Sequence, residues 1–305
     1  MHEYPIVEVP RNAAELTEQL GTKPKFWFRT DDGSAALFKQ VREGTGEDWA
    51  EKVAAELANL LGLPHAKYDL ATWDEKRGVA SYSFVPQGAA LLHGNELLAV
   101  AIDDYPKSRR YSASQHTLDR AFNFLDLPFV EPPQEFDRTA GLKTGAHVFV
   151  GYLMLDAWIG NQDRHHENWG VIRTSEGDIH LAESYDHASS LGRNESDINR
   201  QDILTTRDKF RCLSAFVDRA RSAFFSDPGS KKAMKTLDAF VKAAERYPDA
   251  AFEWRERLYA VTPDQIEQIF ERIPVELAYS LASDFALAML RENRDRILRT
   301  WGETE

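Results

Sequence analysis

The sequence predicts an α+β protein, a small sheet-rich lobe followed by a larger helical one, and three observations carry that prediction. The first third alternates aromatic and β-branched runs with turn residues, as strands and hairpins do. One amphipathic segment inside that third ends in a glycine stop. From residue 89 onward the pattern is mainly helical, and residues 199–300 form a run of helical segments broken at Pro228, Pro248, Pro263 and Pro274.

The elements follow in order. Residues 4–9 read as a first strand. Residues 25–29 and 35–40 read as two antiparallel strands joined by Asp31-Asp32-Gly33-Ser34, which is turn chemistry. Over 47–61, Val53, Ala54, Leu57, Leu60 and Leu61 recur at spacings of three and four, and Gly62 and Pro64 stop the helix. Residues 67–73 and 79–85 read as strands flanking the polar stretch 74–78. Pro86, Gln87 and Gly88 then break the chain, giving an N-lobe of 1–88 and a C-lobe of 89–305. Within the second, 169–173 and 178–182 are strand candidates on either side of Ser175-Glu176-Gly177.

Composition narrows the function. In 305 residues there is room for one large core or two lobes with a cleft between them. Hydrophobic residues at 43% and charged residues at 28% are ordinary globular usage. A formal charge of −12 repels nucleic-acid backbones. The best basic run, 107–110, is flanked by Asp103 and Asp104 and reads as a solvated helix end, so no direct nucleic-acid partner is expected. The single cysteine, Cys212, allows no internal disulfide and no CxxC site, which fits a reducing, cytoplasmic setting. No membrane span or secretory leader is legible.

The densest chemistry lies between Tyr152 and Asp186, where an apolar helix ends at Gly160 and the polar loop Asn161-Gln162-Asp163-Arg164-His165-His166-Glu167-Asn168 follows. A strand pair and then Asp186 complete the stretch. Phosphoryl transfer asks for this order: an Asp to accept the proton of the acceptor hydroxyl, an Asn five positions on as a metal ligand, and a later Asp on metal. Asp163, Asn168 and Asp186 satisfy it. Magnesium suits such a set, because a hard cation bridging phosphates needs only one or two protein oxygens. Zinc at His165, His166 and Glu167 is disfavoured, since adjacent histidines diverge and no HxxxH spacing is present. A hydrolase triad around Asp186 and His187 lacks a GxSxG elbow.

The constellation Asn161, Asp163, His165, Asn168, Tyr185, Asp186 resembles the NxDxHxxN…(Tyr/Phe)-Asp pattern of the HipA-like kinases, and Asp163-Arg164-His165 also resembles the loop of the phosphatidylinositol kinases. The helix ending in Leu61-Gly62-Leu63-Pro64 is similar to one in the same family. The resemblance implies a two-lobed, protein-kinase-like fold holding ATP and magnesium. Asp163 would be catalytic, His165 would support the loop or touch the γ-phosphate, and Asn168 and Asp186 would hold metal. Kinases pair a helix Glu with a strand Lys that touches the α- and β-phosphates. Lys39 is the Lys of the preceding strand, and Glu51 is favoured over Glu56, the two being 5 × 100° apart on the helix.

Residues 21–25 lie where the family carries a phosphate-binding loop, so the backbone at Gly21 and the side chains of Thr22 and Lys23 or Lys25 would cradle phosphates, although an ordinary turn uses the same residues. Ser83, Phe84 and Val85 are where an adenine would meet backbone. Ser189 and Ser190 occupy an activation-segment position. Full-length HipA toxins have a further N-terminal region, so this chain resembles the catalytic core. An antitoxin-like or repressor-like partner is therefore an open expectation. The implied reaction is transfer of the γ-phosphoryl to a Ser or Thr hydroxyl of a protein, including the chain itself. A lipid acceptor and a non-catalytic nucleotide-binding module are the alternatives.

Overall fold

The computed structural model describes residues 2–13, 16–17, 25–109, 113–278 and 280–300. Gly21, Thr22 and Lys23 lie outside the described residues.

The small lobe is a six-stranded sheet with one helix. Its elements are β1 (Ile6–Val9), β2 (Leu16–Thr17), β3 (Lys25–Arg29), β4 (Ala35–Gln40), α1 (Glu47–Leu60), β5 (Tyr68–Trp73) and β6 (Lys76–Tyr82). Strand order is β1-β5-β6-β4-β3-β2. All neighbours are antiparallel except β1, which runs parallel to β5. One face packs Phe26, Phe28, Phe38 and Ala80 into a core of its own. The buried flank of α1 covers the other face and joins the main core through Trp49, Val53 and Leu57. The helix stops where Gly62 takes φ +64°, a left-handed conformation that costs glycine little.

The β5–β6 hairpin is tighter than the sequence suggested. Trp73 pairs with Lys76, and the loop is only Asp74 and Glu75, at φ 49° and 64°. A two-residue loop with both residues left-handed matches the twist of its strands, and Asp tolerates that region better than most residues. Lys76, Arg77 and Gly78 therefore belong to β6, and the strand ends at Tyr82.

The large lobe holds β7 (Ala90–His93), α2 (Gly94–Ala101), α3 (Leu118–Leu125), β8 (Val130–Glu131), α4 (Gly145–Ile159), β9 (Gly170–Arg173) and β10 (Ile179–Leu181). After these come α5 (Asp197–Thr205), α6 (Leu213–Asp218), α7 (Thr236–Arg246), α8 (Pro248–Ala260), α9 (Pro263–Phe270) and α10 (Ser280–Arg299). The β9–β10 hairpin belongs to a four-stranded sheet, β7-β9-β10-β8, whose outer strands the sequence reading left out. Both are short, and β7 runs straight into α2, so neither carries a period long enough to read.

Helix α4 is the axle of the lobe. Apart from His147, every residue of it is buried, so it shows no polar face and packs against α7, α8 and α10. Trp158 and Trp169 are buried in that core. The basic run at 107–109 is exposed and lies beyond the end of α2. No helix is long and apolar enough to cross a membrane among the described residues.

Candidate active site

The β3–β4 register sets Lys25 directly opposite Lys39, which puts both side chains on one face of the sheet. That face roofs a cleft of about 270 Å³, to which the large lobe contributes His165, Asn168 and Asp186. The cleft is polar at one end and aromatic at the other. At the aromatic end Phe84 and Tyr185 stack, with centroids 5.5 Å apart and planes 27° from parallel, and Leu37, Val85 and Leu91 complete the wall. The Tyr185 hydroxyl donates to the Glu167 carbonyl at 2.9 Å and meets His93 Nδ1 at 2.9 Å. A ligand with a flat apolar ring and an anionic tail matches both ends.

The loop after α4 is held by a buried ion pair. Gly160 closes the helix at φ +66°. Arg164, 1% exposed, forks onto both oxygens of Asp156 at 2.7 and 2.8 Å and donates to the Asn168 carbonyl at 3.0 Å. Asn161 donates to Asp156 at 2.8 Å and accepts from the Asp163 amide at 3.1 Å. The Asn168 Nδ2 donates to the Asp163 carbonyl at 2.7 Å, which leaves its Oδ1 as the acceptor end. His165 Nε2 stands 3.8 Å from Asp163 Oδ1, while its Nδ1 accepts from the Glu167 amide at 3.1 Å. The backbone around Asp163 is thus fixed from both sides.

Asp186 sits at φ +60°, strained for a residue with a Cβ. Its amide donates to the Tyr68 hydroxyl at 3.0 Å, and its Oδ1 lies 3.4 Å from Lys39 Nζ. Burial alone would lower the Lys39 ammonium. Asp186, Tyr68 and Glu51 outweigh it and hold the group above its ordinary value, so it stays charged.

Here the structure departs from the expected Lys39–Glu51 pair. Glu51, 1% exposed, accepts instead from the His187 amide at 2.6 Å. The left-handed turn at Asp186 gives its carboxylate to Lys39 and hands the next N–H to Glu51, so Glu51 acts on Lys39 through space. Glu56, on the other flank of α1, pairs with Lys52 at 2.7 Å.

Ser189 Oγ donates to Asp163 Oδ2 at 3.4 Å and accepts from Arg193 at 2.9 Å. Ser190, the other serine at that activation-segment position, is 3% exposed and donates to the His187 carbonyl at 2.8 Å.

Tyr68, His93 and the Asp156–Arg164 pair were missed in the sequence. Asp156 alone gave a signal, as the one acidic residue in an otherwise apolar helix.

Three residues before Asp186, burial pushes the Glu183 carboxyl from an ordinary 4.5 up to about 7, and its Oε2 has no hydrogen-bond partner among the described residues. The folded chain therefore binds the proton more tightly than the unfolded one. Stability falls as pH rises from about 4.5 to 7, and above that a penalty of up to roughly 3 kcal/mol is fully present. Glu183→Gln is expected to gain in melting temperature on the parent between pH 5 and pH 8. A gap that does not change with pH would contradict the buried-carboxyl account.

No family model matches the sequence. In sequence the chain is 26% identical over 185 residues to the serine/threonine-protein kinase CtkA of Helicobacter pylori, a match covering 60% of this chain and 52% of that protein. The chain spans about half the length of the curated relatives it matches. The crystal structure of CtkA superposes with a TM-score of 0.72 at 20% identity, covering 97% of this chain and 99% of the other. A chain of the Shewanella oneidensis complex of HipA, HipB and operator DNA superposes with a TM-score of 0.57 at 14% identity, covering 93% and 65%. The protein thus shares the two-lobed fold of the HipA-like kinases and is similar in sequence to a serine/threonine-protein kinase.

Proposed function

We propose that this chain is an ATP- and magnesium-dependent kinase that transfers the γ-phosphoryl group to a Ser or Thr hydroxyl of a protein. The observation that carries the reading is convergence. Lys39, Asn168 and Asp186 line one cleft whose other end is the Phe84–Tyr185 stack, with Asp163 fixed at its edge by Asn161 and Asn168. The purine would lie at the aromatic end beside Phe84 and Val85, and the phosphates would meet Lys25 and Lys39.

Asn168 and Asp186 offer a hard-oxygen donor set on one wall, which fits magnesium, a cation that keeps most of its shell as water and phosphate oxygens. When bound, the metal neutralises charge developing on the transferred group. The chain's own residues do the rest. Asp163 orients the acceptor hydroxyl and takes its proton as the new O–P bond forms and the bond to the β-phosphate oxygen breaks, releasing ADP. Lys39, kept charged by Asp186, offsets the phosphate charge. His165, against Asp163, holds that carboxylate in place.

The test is incubation of the protein and added protein acceptors with γ-labelled or α-labelled ATP. Label is expected on Ser or Thr from the γ-position alone, and none with a magnesium chelator. Label from the α-position would instead mean nucleotidyl transfer, and ATP binding without any transfer would mean a binding module.

A further inference from the structure

Asn161 and Asn168 fix the backbone of Asp163, but neither bond reaches its carboxylate. Beside His165, 3.8 Å from Oδ1, the carboxylate is met by Ser189, whose Oγ donates to Oδ2 at 3.4 Å. The Gln162 amide donates to the Ser189 carbonyl at 3.1 Å, so residue 189 is bonded to the residue just before Asp163.

A serine hydroxyl has one proton, and Arg193 decides where it goes. Arg193 Nη2 donates to Ser189 Oγ at 2.9 Å. A guanidinium only donates, so Oγ accepts on that side and its proton is left for Asp163. From Nη1 the same guanidinium donates to Glu47 Oε1, in the first turn of α1, at 2.8 Å, and the Gly46 amide donates to the Arg193 carbonyl at 3.1 Å. A sharp turn makes this reach possible. Leu191 and Gly192 sit at φ 56° and 65°, and the Arg193 amide closes the turn on the Ser190 carbonyl at 3.2 Å. Left-handed backbone is strained at a residue with a Cβ such as Leu191, and the turn returns Arg193 to Ser189.

We propose that Ser189 and Arg193 are positioning residues for phosphoryl transfer: Arg193, anchored through Glu47 to α1 of the small lobe, orients the Ser189 hydroxyl, and Ser189 in turn orients the Asp163 carboxylate. The inference rests on the kinase reading above. Neither residue lines the nucleotide cleft, so their loss falls on the transfer rate through the geometry of the proton acceptor, and not on ATP binding.

Ser189→Ala is expected to slow single-turnover transfer to a protein acceptor about tenfold, with ATP affinity within about twofold of the parent. Ser189→Thr keeps the hydroxyl, and the cavity of about 390 Å³ that residue 189 lines leaves room for its methyl, so it should recover most of the rate. Arg193→Lys keeps a charge beside Glu47 but lacks the planar fork that reaches two oxygens. It should show the same loss, and the two variants combined should be no slower than either alone. On an Asp163→Asn background Ser189→Ala should cost nothing further, because residues that act through one group are not additive. A merely loosened loop would weaken ATP binding and add its cost on every background. A parental rate in Ser189→Ala or in Arg193→Lys, or a loss that persists in full on Asp163→Asn, overturns the proposal. Crystal structures of the parent and Ser189→Ala read the same point without catalysis: the Asp163 carboxylate is expected to leave its parent rotamer, and an unmoved carboxylate overturns the proposal. A displaced carboxylate in the variant, with no γ-label on any acceptor from the parent, upholds the positioning and sinks the kinase reading instead.

Discussion

Asp163→Asn is expected to lower the single-turnover rate of phosphoryl transfer about a thousandfold, within the range for loss of a positioned proton acceptor, while ATP affinity and melting temperature stay close to the parent. The fold is insensitive because the bonds that fix this position use backbone atoms. The Asp163 amide donates to Asn161 and its carbonyl accepts from Asn168, and both survive the substitution. The carboxylate contacts to Ser189 and His165 change. Rapid-quench kinetics with a Ser-containing protein acceptor, alongside ATP titration, separates the two effects. A rate within threefold of the parent would remove Asp163 from the proposed role. A variant that also loses ATP would mean the carboxylate serves the nucleotide and not the acceptor.

Arg164→Met is expected to cost about 3–5 kcal/mol of stability, the range for breaking one partner out of a buried ion pair, and so to lower the melting temperature by roughly 5–8 °C. Both Arg164 and Asp156 are buried. Burial by itself would depress the guanidinium, but Asp156 outweighs it and holds the group above its ordinary value. Met fills similar volume, so the loss is electrostatic: Asp156 keeps a donor from Asn161 but no counter-charge. The double variant Asp156→Leu with Arg164→Met should recover much of the stability, since apolar residues can replace a buried pair at little loss. It should not recover activity, because the bond from Arg164 to the Asn168 carbonyl is gone. Scanning calorimetry and the transfer assay read the two separately. A single variant that melts with the parent would show that the pair contributes nothing net.

What was legible in the sequence follows from what spacing encodes. The β3–β4 hairpin, α1 with its glycine stop and the DxxxxN loop after an apolar helix all depend on local chemistry, and all were read. Partners across the fold were not. Lys39 reads as one half of a pair, but which carboxylate meets it depends on the φ +60° turn at Asp186, which no local pattern encodes in a non-glycine residue. Tyr68 enters the site only because β5 lies beside β6 under the Asp186 loop, and its hydroxyl receives a bond from a residue 118 positions away. Strands β7 and β8 are too short for alternation to show, and pairing makes them strands.

The first turn and a half of α1 is anchored to the other lobe by two carboxylates. Glu47 receives Arg193 at 2.8 Å and Glu51 receives the His187 amide at 2.6 Å, both acids being 3% exposed or less. Swinging this helix outward would break both contacts: Glu47 would keep its bonds from the Arg42 amide and guanidinium, whereas Glu51 would lose the His187 amide, at a cost of about 1–3 kcal/mol or more for a buried acceptor left without its donor. The start of α1 is therefore bolted to the large lobe, and opening the cleft on that side means breaking both contacts.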